Sequence, residues 1–238
     1  MENATSKLSL DKLSNFILPI AFVAEVIIFS FASDSFFSAQ NFYNVVANKV
    51  VLLAIVSLGM TIVIAAGGID LSVGVSVDLS ALTFFTILAA GYGALFGIAG
   101  VLVAACLVVC FNATSGDAHI FRAISDVAFL GLALPIWIFI LCAIAVYIIL
   151  HKMVFGRYVA MLGAKPGVAL YSGVHVPREL SKVFIYCSVL CGIAGILLSS
   201  QVKSYIPLSG DAILLDAIGA TFIGTALSSD RRPSVVGT

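Results

Sequence analysis

The sequence predicts an all-α fold, a polytopic transmembrane helical bundle, and three observations lead to that prediction. Hydrophobic residues make up 61% of the 238-residue chain and charged residues only 10%, which is far from the composition of soluble globular domains. Between Lys49 and Arg122 the only charged residues are Asp70, Asp78 and Asp117, so most of that stretch has to lie in hydrocarbon. Apolar runs of nearly constant length also recur along the chain.

About 20 largely apolar residues are needed for a helix to cross a bilayer, and six to seven runs approach that length. The first run has no small-residue cleavage pattern, so we expect it to remain as a span. We interpret residues 1–238 as a single transmembrane domain. The candidate spans are 15–32, 45–66, 71–90, 94–111, 129–150, 183–200 and 212–227.

One segment is strongly basic. Residues 151–182 contain five lysines and arginines and a single acid, Glu179. Cytoplasmic loops of membrane proteins carry this excess of positive charge, so the segment is predicted to be cytoplasmic. A simpler alternative is an ordinary basic loop that only sets the orientation of the neighbouring spans.

Residues 66–74 place three glycines, one acid and one serine between two apolar runs. Glycine permits tight backbone approach, while Asp70 and Ser72 are residue types that cap the free N–H groups at the start of a helix. Local chemistry therefore predicts a turn between two spans, with Asp70 capping the helix that follows.

Two stretches resemble one family. Residues 58–74, LGMTIVIAAGGIDLSVG, closely resemble the signature of the membrane permeases of bacterial ABC importers for ribose and related monosaccharides. Residues 155–176, FGRYVAMLGAKPGVALYSGVHV, resemble the permease segment that meets the ATP-binding subunit. The resemblance marks two sets of residues: a signature turn with Gly67, Gly68, Asp70, Ser72 and Gly74, and a coupling loop with Gly156, Arg157, Gly163, Lys165, Pro166, Ser172 and Gly173.

The resemblance has a local exception. Where relatives tend to have an asparagine, an acid and an arginine, this chain has Lys165, Gly167 and Leu170. A short helix delimited by glycines and Pro166 is still expected there, because such an element docks on an ATPase. The altered residues predict a weaker contact with that partner.

The resemblance implies a multi-pass subunit of the bacterial inner membrane, surrounded by lipid. Its implied partners are a cytoplasmic ABC ATPase, a periplasmic sugar-binding protein and a second permease subunit, either identical or different. The chain has no Gly-x-x-x-x-Gly-Lys-Ser/Thr phosphate loop, so ATP hydrolysis is expected in the partner. Basic residues are too few and scattered for nucleic-acid binding. The sequence does not identify the sugar or its binding residues.

Acids inside apolar runs are functional candidates by default, and the candidates here are Asp216, Asp78 and Glu25. Asp216 matches the usual acid of the family within LDAIGATFIGTAL. These carboxylates leave open an alternative from another class, a secondary transporter driven by an ion gradient. No catalytic residues, metal site or cofactor are predicted, because no nucleophile is paired with a base. The cysteines are interpreted as small packing residues: Cys106, Cys110, Cys142, Cys187 and Cys191.

Relatives have a further span before the 129–150 run, whereas residues 114–127 are too few and too polar to cross a membrane. With a cytoplasmic N-terminus, the four spans before residue 112 return the chain to the cytoplasm. The 129–150 span would then place the basic residues 151–182 outside the cytoplasm, contrary to their charge. The first run lying flat, a re-entrant glycine-rich span or an internal deletion would each explain this. We favour the deletion, because both flanking sequences match the family. Relatives also continue with two spans beyond the last residue here, and a bundle lacking an interior helix predicts an unstable or inactive remnant.

Overall fold

The structure is a computed structural model that describes residues 20–32, 36–91, 94–104, 128–129, 132–202 and 206–227, together with Val235. These residues are helical over most of their length. In chain order the elements are α1 (Ile20–Ala32), α2 (Ala39–Asn44), a π-helical turn (Val45–Val50), α3 (Val51–Ala65), α4 (Val73–Ala89), α5 (Ala94–Ala104), β1 (Ala128–Phe129), β2 (Leu132–Ala133), α6 (Leu134–His151), α7 (Val154–Ala164), α8 (Pro166–Tyr171), α9 (Val176–Val202) and α10 (Ser209–Leu227).

Three of the described helices are long and apolar enough to cross a membrane: Ala39–Ala65, Leu134–His151 and Val176–Val202. Shorter apolar helices accompany them, and the predicted all-α class is confirmed. The described residues also contain two short strands. They form an antiparallel pair in which Ala128 lies opposite Ala133 and Phe129 opposite Leu132.

The chain divides into two compact units, residues 1–46 and residues 47–238. In the first unit, Ser38 caps α2 by accepting a hydrogen bond from the Asn41 N–H at 3.2 Å. The second unit contains the main core, in which α9 and α10 each pack against both α3 and α4, and α6 packs against α3.

A close helix crossing in this core joins α9 to α4. A Cβ atom built at Gly195 would lie 2.6 Å from the Ser80 Cβ and 2.6 Å from the Val77 carbonyl oxygen. The Ser199 hydroxyl donates a hydrogen bond to the Ala81 carbonyl one turn further on, at 2.9 Å. Small residues and a hydroxyl at the crossing are the usual means by which membrane helices approach closely.

Several predicted boundaries differ from the observed ones. The loop predicted over 151–182 is largely helical, because α7, α8 and the start of α9 occupy it, and α9 begins at Val176 rather than at residue 183. Its first turns carry the signals of a helix start: Pro177 is the second helical residue, and Glu179 in the first turn pairs with Lys182 at i+3. In the span predicted over 129–150, strands precede a helix that starts at Leu134. Residues 15–19 and 105–111 of the predicted spans lie outside the described residues.

Candidate functional site

The first half of the signature turn, residues 66–74, ends helix α3. Gly67 has a φ of +81° and donates its N–H to the Ile64 carbonyl at 2.9 Å, while the Gly68 N–H bonds to the Val63 carbonyl at 3.1 Å. A left-handed residue whose N–H turns back onto the last carbonyls is the common way to end a helix, and glycine adopts it without strain. The glycine pair therefore serves as the C-terminal cap of α3.

The second half of the turn begins α4. Asp70 is buried, and its Oδ1 accepts hydrogen bonds from the Ser72 N–H at 2.9 Å and the Ser72 hydroxyl at 2.6 Å. Ser72 is the N-cap residue of α4 and makes no side-chain capping bond of its own. The predicted capping by Asp70 thus takes the form of an Asx turn that fixes the N-cap residue.

We expect Asp70→Ala to destabilise the chain more than Ser72→Ala. Removing the carboxylate loses both hydrogen bonds to Ser72, which is exposed, at a cost of about 0.5–1.5 kcal/mol each. Ser72→Ala keeps the bond to the N–H and loses only the bond to the hydroxyl. The thermal unfolding midpoints of the two purified variants in detergent test this order, and equal midpoints would contradict it.

The second motif forms two short helices, α7 and α8, which we call the coupling helices. A Cβ atom at Gly156 would overlap the Leu150 carbonyl, so only glycine lets α7 pack against the end of α6. Lys165 ends α7 in an extended conformation, and Pro166 begins α8, as expected for a residue before proline and for proline at the first helical position. Gly173, with a φ of +77°, ends α8.

The two motifs meet in the folded chain. A Cβ atom at Gly67 would lie 3.2 Å from the Cα of Gly163, and one at Gly163 would overlap the Ala65 carbonyl and lie 3.4 Å from the Gly67 nitrogen. The end of α3 and the C-terminal part of α7 are therefore in direct backbone contact. The signature turn lies on the same side of the molecule as the coupling helices.

The opposite surface of the coupling helices is open. Val168, Leu170 and Tyr171 are 51%, 62% and 92% exposed, and Arg157 and Lys165 are also exposed. Apolar and cationic side chains thus lie side by side on one short segment. Ser172 makes only a local bond, donating its hydroxyl to the Val168 carbonyl at 2.8 Å.

Of the three candidate acids, Asp78 has a defined structural partner. Its Oδ1 accepts hydrogen bonds from the Ser209 hydroxyl at 2.8 Å and from the Gly210 N–H at 2.9 Å. Because these residues form the first turn of α10, the carboxylate of α4 caps the N-terminus of another helix, where a negative charge is favourable. Asp216 is exposed on α10 and Glu25 is exposed on α1.

Comparison with known proteins assigns the family. Residues 111–238 match the family described as branched-chain amino acid transport system / permease component. The ribose import permease protein of Bacillus subtilis (strain 168) is 30% identical over 90% of this chain and 77% of its own length. The chain belongs to the ribose-type family of ABC transporter permeases. The predicted membership of the chain in this family is thereby confirmed.

Further relatives of the permease include the ribose import permease protein of Haemophilus influenzae, 30% identical over 92% of this chain and 79% of its own length. The autoinducer 2 import system permease protein of Escherichia coli O9:H4 is 28% identical over 79% of this chain and 69% of its own length. No solved structure matches the chain. These relatives are transport subunits, so the permease is a membrane transport component.

The match to the Bacillus subtilis relative runs over 248 residues, although it takes in only 90% of this 238-residue chain. That relative therefore contains internal residues that have no counterpart here.

Three contacts at this site were missed by sequence reasoning, among them the approach of Gly67 to Gly163. The approach of Gly74 to Gly210, where a Cβ at Gly74 would lie 2.9 Å from the Gly210 carbonyl oxygen, joins residues far apart in the chain. Asp78 stood out only as an unexpected acid in an apolar run. Ser209 and Gly210 follow a polar loop and resemble any helix start, so the sequence does not link them to Asp78.

Proposed function

We propose that the permease is the membrane-spanning subunit of an ATP-driven importer for a ribose-like monosaccharide, crossing the bacterial inner membrane several times. The observation that carries this proposal is the backbone contact of the signature turn with the coupling helices, between Gly67 and Gly163. It joins the motif between two membrane helices to the segment that faces the cytoplasm. The names of the ribose import relatives support the choice of substrate class.

The proposal assigns ATP hydrolysis to a separate cytoplasmic ABC ATPase that docks on the coupling helices. Their exposed apolar side chains, Val168, Leu170 and Tyr171, support this docking, because exposed apolar residues among polar ones are suited to a protein partner. A periplasmic binding protein would deliver the sugar, and a second permease subunit would complete the path.

Uptake of labelled ribose tests the proposal. The chain is expressed in a bacterial strain that lacks its own ribose permease but retains the matching ATPase and binding protein. We expect ribose uptake that requires the ATPase and persists when an uncoupler abolishes the proton gradient. Uptake lost with the uncoupler and independent of the ATPase would favour the ion-coupled alternative, with the intramembrane carboxylates as carriers. Autoinducer 2, the substrate named for another relative, serves as the competing substrate.

We further propose that the permease lacks a membrane segment between residues 112 and 128, and that this deletion lowers its activity. The greater aligned length of the Bacillus subtilis relative supports a gap of this kind. A bundle without one interior helix leaves small and polar groups facing lipid. A chimera that carries the relative's internal segment at this position isolates the effect.

We expect the chimera to take up ribose at least about tenfold faster than the native chain at equal membrane abundance, because the restored helix covers polar groups that are costly in lipid. Uptake by the native chain at the level of the relative would refute the deletion proposal and leave the permease assignment standing. Uptake by neither form, with both present in the membrane, would refute the assignment to ribose.

A further inference from the structure

We propose that the contact between Gly163 and Gly67 couples the position of the coupling helices to the N-terminal ends of α4 and α10. The inference rests on the proposed function, because it identifies the residues through which a docked ATPase would act on the membrane helices. Three successive contacts in the described residues support it.

The first contact is between backbones. A Cβ at Gly163 would overlap the Ala65 carbonyl, and a Cβ at Gly67 would lie 3.2 Å from the Gly163 Cα. No side chain lies between the two segments to absorb a displacement by changing rotamer. A shift of α7 therefore has to move the end of α3 and the turn with it, because packed backbone has no softer response.

The second contact holds the turn to α4. Asp70 accepts two hydrogen bonds from Ser72, the residue before the first residue of α4. The buried carboxylate thereby shortens the flexible part of the connection to a few residues. Gly67, capped onto α3, and Ser72, fixed by Asp70, move as parts of one compact turn.

The third contact joins α4 to α10. Gly74 lies against Gly210 with only backbone between them, and Asp78 holds Ser209 and Gly210 by two hydrogen bonds. Leu208, immediately before α10, has a φ of +64°, which is unfavourable for a leucine. Displacement of the first turns of α4 thus acts directly on the start of α10.

Hydrogen–deuterium exchange of the full chain in detergent micelles tests this coupling and needs neither sugar nor ATPase. It compares Gly163→Ala with Gly167→Ala, a control four residues away where an added Cβ meets nothing within 4 Å. We expect Gly163→Ala to speed amide exchange about threefold or more in the first turns of α4 and α10, since local opening follows the loss of supporting contacts. Gly167→Ala should leave both unchanged.

An effect of Gly163→Ala confined to α7 and the end of α3, or an equal effect of Gly167→Ala, would overturn the proposal. If Gly163→Ala does not fold, Asp78→Ala, which removes both hydrogen bonds to α10, gives the reverse test, because energetic coupling between two sites is reciprocal. It should speed exchange at the signature turn and the C-terminal end of α7, and no change there would overturn the proposal. Failure of ribose uptake bears only on the proposed function, since exchange is measured without transport.

Discussion

Gly195→Ala is expected to lower the thermal unfolding midpoint of the purified permease and its abundance in the membrane. The new Cβ would lie 2.6 Å from the Val77 carbonyl oxygen and 2.9 Å from the Ala81 nitrogen. These are backbone atoms of α4, so they cannot move aside as a side chain does, and α4 and α9 have to separate. Overpacking of this kind costs about 1–3 kcal/mol, and the Ser199 bond to α4 would be strained as well.

Gly219→Ala is the matched control for this prediction. Gly219 is also inside a helix, but an added Cβ there meets nothing within 4 Å. Alanine favours a helix over glycine by about 0.5–1 kcal/mol, so this variant should melt at or slightly above the wild-type midpoint. If Gly195→Ala and Gly219→Ala had equal unfolding midpoints, the crossing of α9 and α4 would have room for the added Cβ, and the prediction would be wrong.

Asp78→Ala is expected to destabilise the permease more than Asp78→Asn. The alanine variant leaves the Ser209 hydroxyl and the Gly210 N–H without an acceptor, and loss of a helix cap costs about 0.5–2 kcal/mol. The asparagine variant keeps an acceptor oxygen and loses only the interaction of the charge with the helix dipole, about 0.3–1 kcal/mol. Unfolding midpoints in detergent should therefore fall in the order wild type, Asp78→Asn, Asp78→Ala.

Asp211→Asn separates the cap from the general effect of charge near the helix. Asp211 is exposed in the same first turn of α10, and exposed substitutions usually change stability by less than about 0.5 kcal/mol. If the unfolding midpoints of Asp78→Asn and Asp78→Ala both equal that of Asp211→Asn, the two hydrogen bonds to α10 contribute nothing to stability. Asp78 would then again be a candidate for ion transfer.

Much of the fold was predictable because it depends on local chemistry. The all-α class follows from apolar runs that can satisfy their backbone groups in lipid only as helices. The ends of elements at Gly67, Pro166 and Gly173 follow from the conformations that glycine and proline permit. The start of α9 at Val176 did not follow, because the charge of residues 176–182 predicts a loop, whereas Pro177 and the Glu179–Lys182 pair are equally compatible with the first turns of a helix.

The candidate site, like the fold, was predictable where it depends on local chemistry and unpredictable where it depends on tertiary packing. The sequence indicated the two motifs, and Asp70 as a capping residue, because each depends on residues close together in the chain. It gave no basis for pairing Gly163 with Gly67, or Asp78 with Ser209 and Gly210. Those pairs span about 100 residues or more, and loop closure over such lengths leaves no local pattern to recognise.

The sequence by itself determined that the permease is a helical membrane protein of a sugar-importer family and which residues its motifs contain. Only the tertiary structure decided what those motifs touch. The backbone approach of Gly67 to Gly163 and of Gly74 to Gly210, and the cap that Asp78 provides to α10, arise from the packing of α3 on α7 and of α4 on α10. Glycine and aspartate permit such contacts at many positions, and the arrangement of the helices selects the positions where the contacts form.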